Sequence, residues 1–167
     1  MFADGEYEGE YMIKKHGTGK YVWINGSKYN GEWYENNVDG IGTYSWRDGR
    51  KYRGEWVDNL MQGAGMYSWT DGRFYVGEYK ANKKDGYGMY IFKGGEIYIG
   101  YWKDGKGHGL GVYILNGDHL KYGLWENGKQ NTWFDKETVK EIDNYKIDFR
   151  TYFKDEGNKE MRGNQTF

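Results

Sequence analysis

With 167 residues, 24 Lys and Arg against 25 Asp and Glu, and no Cys, the chain excludes disulfides and cysteine-based zinc sites, and it lacks the basic surplus that nucleic-acid binders carry. Mean hydropathy is low at −1.05, yet 20% of the residues are aromatic, with 18 Tyr, 8 Trp, 28 Gly and no Pro, the opposite of a disordered composition. No apolar run is long enough to cross a bilayer as a helix and no apolar stretch near Met1 reads as a signal peptide, so a cytoplasmic, reducing setting is the expectation.

Taken from the start, Asp4-Gly5 has the character of a turn, so the chain enters its first strand at once and leaves that strand's edge open to a partner or a second copy. A frame of Tyr-x-Gly-Glu-aromatic then opens at Tyr7 and returns at Tyr29, Tyr52, Tyr75 and Tyr98, in steps of 22, 23, 23 and 23 residues. Each opening is followed by a Gly-x-Gly (Gly17/Gly19, Gly40/Gly42, Gly63/Gly65, Gly86/Gly88, Gly109/Gly111) and, two residues on, by Tyr21, Tyr44, Tyr67, Tyr90 or Tyr113. A fixed period of this size signals a repeat architecture.

Within a unit the spacing is two, which means strands: Tyr52, Gly54 and Trp56 share one face, Arg53 and Glu55 the other. A loop of about six residues, such as Val57 to Gln62, is expected inside each unit. Tight turns at Asn25-Gly26, Asp48-Gly49, Asp71-Gly72, Gly94-Gly95 and Asn116-Gly117 are expected between units. Glycine inside a strand costs roughly 0.5–1 kcal/mol, so these glycines need a reason, and aromatic rings lying flat over bare backbone supply one.

Toward the C-terminus the frame weakens: Tyr101 replaces Glu and Leu115 replaces Trp in unit five, and Tyr122-Gly123-Leu124-Trp125 opens a degenerate sixth unit with a turn at Asn127-Gly128. The array is expected to occupy residues 1–134. From Asp135 as N-cap, Val139, Ile142, Tyr145, Phe149 and Tyr152 take helical spacing, which predicts an amphipathic helix to residue 153 and a polar tail over 154–167.

The pattern Y-x-G-E-[WY], then G-x-G-x-Y-x-[WF]-x-[DN]-G, resembles the MORN (membrane occupation and recognition nexus) repeat from about Asp4 to Trp125. The resemblance implies an all-β fold, an elongated twisted antiparallel sheet of β-hairpins in a single layer, here followed by the C-terminal α-helix. It also implies a scaffold or adaptor, since such repeats occur in ciliary axonemes, cortical skeletons, membrane-junction proteins and the N-terminal parts of some lipid kinases and a lysine methyltransferase.

Catalysis has little support in the residues. His16, His108 and His119 fall in different units, no His pair has metal-ligand spacing, and no cofactor motif is present. The Glu column (Glu10, Glu32, Glu55, Glu78) recurs once per unit and is read as structural, bonding across strands. The Gly-x-Gly pairs lead into strands and not helix N-termini, so they are not phosphate cradles. The candidate site is an aromatic groove of Tyr21, Trp23, Tyr44, Trp46, Tyr67, Trp69, Tyr90 and Phe92 that takes a helix or extended peptide from a protein partner. The rival is anionic phospholipid held by the basic loop residues Lys14, Lys15, Lys80, Lys83 and Lys84. A third reading makes the array the regulatory segment of a larger enzyme. A cytoskeletal, ciliary or membrane-peripheral location is the expectation that goes with the scaffold.

Overall fold

In the computed structural model, residues 5–11, 13–115 and 119–135 are described. They form twelve strands: β1 (Gly5–Tyr11), β2 (Lys15–Trp23), β3 (Lys28–Tyr34), β4 (Asn37–Ser45), β5 (Lys51–Val57), β6 (Leu60–Ser68), β7 (Phe74–Lys80), β8 (Lys83–Ile91), β9 (Ile97–Lys103), β10 (Lys106–Leu115), β11 (His119–Glu126) and β12 (Lys129–Trp133). All twelve lie in one antiparallel sheet in chain order, so each strand pairs only with its sequence neighbours. The fold is all-β as expected, and among the described residues there is no helix. The chain divides after Trp133. The expected helix over 136–153, the tail over 154–167 and the turn at Asn116-Gly117 lie outside the described residues.

In units two to five the long loop expected inside the unit is a two-residue turn instead. Asp58 and Asn59 both take left-handed backbone (φ 48° and 66°), and so do Glu35-Asn36, Ala81-Asn82 and Asp104-Gly105. Two consecutive positive φ values match the twist of the flanking strands and permit the shortest hairpin. The turns between units are the longer ones. In the second of them Trp46 donates its N–H to Arg50 O at 2.9 Å, Gly49 donates to Trp46 O at 3.0 Å, and Gly49 sits at φ 89°. This is a three-residue loop closed by a left-handed glycine, and Trp46 and Trp69 stand one residue past the ends of β4 and β6.

The register explains the glycines. Gly54 faces Gly65, Gly31 faces Gly42, Gly77 faces Gly88 and Gly100 faces Gly111. The ring of Tyr52 lies over its own strand's Gly54 and the neighbour's Gly65: a Cβ added at Gly65 would meet the Tyr52 ring at 2.5 Å. The Tyr52 hydroxyl anchors the ring by donating to Glu55 O at 3.0 Å, and Tyr29, Tyr75 and Tyr98 do the same to Glu32, Glu78 and Tyr101 at 3.0–3.1 Å. The indole of Trp56 donates to Gly42 O at 3.3 Å, as Trp33 does to Gly19 and Trp102 to Gly88. Buried rings thus cover bare backbone while their polar atoms stay bonded.

Together these rings make a buried column running along the array. From Tyr7 through Trp33, Tyr29, Trp56, Tyr52, Tyr79 and Tyr75 to Trp102, successive rings meet edge to face at 83–90°, with centroids 4.9–5.9 Å apart. Tyr52 and Tyr75 are fully buried. This is the core of a sheet that has one layer.

After Gly54/Gly65 the pairing resumes at Glu55/Gln62, so Gly63 and Ala64 are extra residues on β6. The bulge takes the Ala64 N–H off the ladder, and the Glu55 carboxylate accepts it at 3.0 Å. Glu78 accepts from Tyr87 at 3.1 Å, and Glu32 and Glu10 serve Ile41 and Thr18. The Glu column is therefore structural, bonding to backbone amides of the next strand. The sixth hairpin keeps the period but not the residues: Gly123 faces Gly111, which puts Lys121 where the frame has Tyr and turns Tyr122 to the other face.

Gly65→Ala is expected to cost about 2–3 kcal/mol in urea unfolding, because the ring above it has nowhere to go. Gly72→Ala, where a Cβ meets nothing within 4 Å and only the φ of 90° resists, costs about 1 kcal/mol. Equal losses would remove the ring-over-glycine account. Burial, assisted by Glu32, Glu55 and Glu78, also raises the Tyr29, Tyr52 and Tyr75 hydroxyls above the ordinary value of 10.0. Tyrosines of the unfolded chain lose their protons first, so above about pH 10 the folded state holds more protons and stability falls as pH rises. The tyrosinate absorbance of these three buried residues is expected to appear together with loss of the strand circular-dichroism signal, read as the part of the absorbance that Tyr29→Phe, Tyr52→Phe and Tyr75→Phe remove.

Candidate functional site

A second column of rings runs beside the buried one on the same face, where the second strands approach the loops between units. Tyr21 meets Trp23 at 4.7 Å, Trp23 meets Tyr44 at 5.0 Å, Tyr44 meets Trp46 at 4.6 Å, Trp46 meets Tyr67 at 5.1 Å and Tyr67 meets Trp69 at 4.2 Å. The column continues from Trp69 to Tyr90 at 5.8 Å, Tyr90 to Phe92 at 4.7 Å and Phe92 to Tyr113 at 5.7 Å. All eight rings expected to form a groove are in this one ladder, and Tyr113 extends it.

The sheet positions each ring. Tyr44 and Tyr52 are register partners, so the second-strand tyrosine stands next to a core tyrosine. The following Trp is brought round by the loop. Tyr21, Tyr67 and Tyr90 are buried, while Trp23, Trp46, Trp69 and Phe92 are half-buried and pack against the core with one side open.

Charged groups flank the open rings. The Arg50 guanidinium lies 5.3 Å from the Trp46 ring, and Arg73 lies at the same distance from Trp69. Arg50 also donates to the Tyr67 hydroxyl at 3.2 Å and pairs with Asp48 at 2.7 Å. Arg73 pairs with Asp71 at 2.9 Å and holds that carboxyl below the usual carboxylate range. The loops between units are thereby clasped in one geometry.

The five lysines considered for lipid contact divide three ways. Lys14 pairs with Glu35 at 3.2 Å and Lys83 with Asp104 at 2.8 Å. Lys80 is exposed. Lys15 and Lys84 lie over the aromatic face, Lys15 at 3.9 Å from the Tyr21 ring and 4.6 Å from Trp33, Lys84 at 4.0 Å from Trp102 and 4.3 Å from Tyr90. Val38 and Met61 hold the same place in units two and three. Burial, with a smaller push from Arg73, lowers the Lys84 ammonium to about 8.

One feature the sequence reading passed over joins the units. Asn59 N–H donates to Val38 O at 2.9 Å while Asn59 Oδ1 accepts from Val38 N–H at 2.8 Å. Asn82 forms the same reciprocal pair with Met61, and Asn36 with Lys15, at 2.8–3.0 Å. Each turn is pinned to the unit before it. The signal was present as Asn at positions 36, 59 and 82, a step of 23. Among the described residues there is no cluster of three or more His, Cys, Asp or Glu that could hold a metal, and no helix long and apolar enough to cross a membrane.

A family model described as MORN repeat matches residues 7–28, 29–49, 52–72, 75–97 and 98–117, well over half the chain. The chain belongs to the MORN-repeat family. No curated protein matches it. Among solved structures, this MORN array is similar to the SAS-4 (dCPAP) TCP domain of Drosophila melanogaster, in complex with a proline-rich motif of Ana2 (dSTIL), at 14% identity and a TM-score of 0.38 over 72% of each chain.

Because Lys84 has the lower pKa when folded, the unfolded chain binds more protons between about pH 8 and the ordinary value of 10.5, and stability gains as pH rises through that window. Lys84→Met, which copies unit three, removes this dependence. The Tm difference between variant and wild type is expected to be largest near neutral pH and to shrink toward pH 10, read by thermal scans; a constant difference would mean that Lys84 is charged at no cost.

Proposed function

We propose that this MORN array is a non-enzymatic scaffold that holds a partner polypeptide, as a helix or an extended segment, along the ladder from Tyr21 to Tyr113. The observation that carries the reading is the continuity of that ladder, nine rings in unbroken contact with the Trp and Phe members open on one side. Eight strand steps of about 4.8 Å make a stripe of roughly 38 Å, the length of about 25 helical residues. Half-buried Trp and Tyr that already sit in fixed rotamers give up little entropy when a partner covers them. Membership of a family that is generally non-enzymatic agrees with the scaffold role. The setting proposed, on the family's occurrence, is a cytoskeletal, ciliary or cortical membrane-skeleton assembly.

The test is affinity capture from the native cell with wild type and with Trp46→Ala/Trp69→Ala, after circular dichroism has established that the variant folds. A partner held by wild type and lost by the variant, with an affinity loss on the order of 2 kcal/mol or more, supports the ladder as the site. Unchanged capture sinks it. Cosedimentation with phosphatidylserine vesicles that is abolished by salt would move the function to the lysines and a membrane surface.

A further inference from the structure

In units one to four the space above the left-handed glycine is filled by the unit's own Glu: Glu10 over Gly17, Glu32 over Gly40, Glu55 over Gly63 and Glu78 over Gly86. In each, that carboxylate takes the N–H of the next residue. Unit five repeats the backbone, with Gly109 at φ 70° and a register shift between Gly107 and Gly111. It does not repeat the side chain. Tyr101 stands in the Glu position, its ring is turned onto Tyr87 at 5.4 Å, and a Cβ on Gly109 would meet only Tyr101 Cβ, at 3.8 Å.

The open space belongs to a depression of about 570 Å³ bordered by Lys80, Lys83, Tyr101, Lys103, His108 and Gly109. Asp85 and Asp104 border it too, and both are engaged: Asp104 Oδ1 accepts from Lys83 at 2.8 Å and Asp85 Oδ2 from the Asp104 N–H at 3.2 Å. Lys80 and Lys103 help Lys83 hold the Asp104 carboxyl below its ordinary value, but no ion pair is recorded for either lysine among the described residues.

We propose that unit five is a receptor site for a carboxylate from outside the chain, an Asp or Glu side chain of a partner polypeptide. It takes the Leu110 N–H as the repeat's own Glu does elsewhere, with Lys103 and Lys80 balancing its charge. Four sister repeats show that this backbone geometry suits a carboxylate oxygen, which favours a carboxylate over a phosphoryl group. The site lies on the Glu face, opposite the aromatic ladder, and does not rest on the ladder reading.

The probe is acetate, titrated into the 15N-labelled 167-residue chain at constant ionic strength and followed by amide NMR. The Leu110 amide proton is expected to move downfield and saturate, while those of Ile41 and Ala64, already bonded to Glu32 and Glu55, stay in place. Lys103→Ala weakens the response roughly two- to fivefold. Tyr101→Glu, which restores the frame, places the Leu110 proton downfield before any acetate is added and abolishes the response. A Leu110 shift no larger than that of Ile41, or a Tyr101→Glu chain that responds as wild type does, overturns the proposal. A response to inorganic phosphate with none to acetate overturns the carboxylate assignment.

Discussion

A tyrosine ring laid across two facing glycines is the contact on which the rest of this array depends. With Gly54 and Gly65 as register partners, any side chain at either place would displace the Tyr52 ring, and without the ring two strands would expose bare backbone to water. Because the hydroxyl is tied to Glu55 O, the ring lies along its strand in one orientation and presents an edge to the next aromatic residue. The indole then reaches a glycine carbonyl of the preceding unit. A single layer of strands thus acquires a dry interior without a second layer to close it.

The polar groups that this arrangement displaces are met locally. Bulge amides find a Glu carboxylate on the preceding strand, turn amides find the unit before them, and the loops between units are closed by Asp48 and Asp71 accepting from the backbone two residues on. Each of these bonds stays within a unit or joins it to an adjacent one, so the array is a chain of nearest-neighbour couplings. The candidate site inherits this regularity: a ladder of contacting rings follows once every unit sets its Tyr and Trp at the same height.

Much of this could be read from the residues. The period, the strand faces, the ring-over-glycine contact and eight rings of the ladder followed from spacing alone, and Tyr113 would have followed from Tyr90 by one more step of 23. The two-residue turns did not, because left-handed backbone falls on Glu35 and Ala81, residues that carry no turn signal, and Asp58-Asn59 lacks the glycine that marks the other turns, so the stretch reads as a loop. That misreading hid Lys84, which alternation back from Tyr90 through Gly88 and Gly86 puts on the aromatic face. In the sixth unit Tyr122-Gly123 resembles the opening of the frame, but the period assigns the tyrosine place to Lys121.

The turn-to-turn pairing also gives the array a direction. Asn36, Asn59 and Asn82 each hold the previous unit through both main chain and side chain, whereas Gly105 and Gly128 keep only the main-chain bond, to Lys84 O and Gly107 O. Between units four and five Asp104 makes up the loss, its carboxylate accepting from Lys83 and its N–H donating to Asp85, so among the described turns the coupling falls to a single bond at Gly128. Under a pulling force, or during thermal fraying, the β11–β12 hairpin would separate first and the zipper would stall at the turn of unit five. A load borne along such a sheet meets a stiff body and a yielding last hairpin.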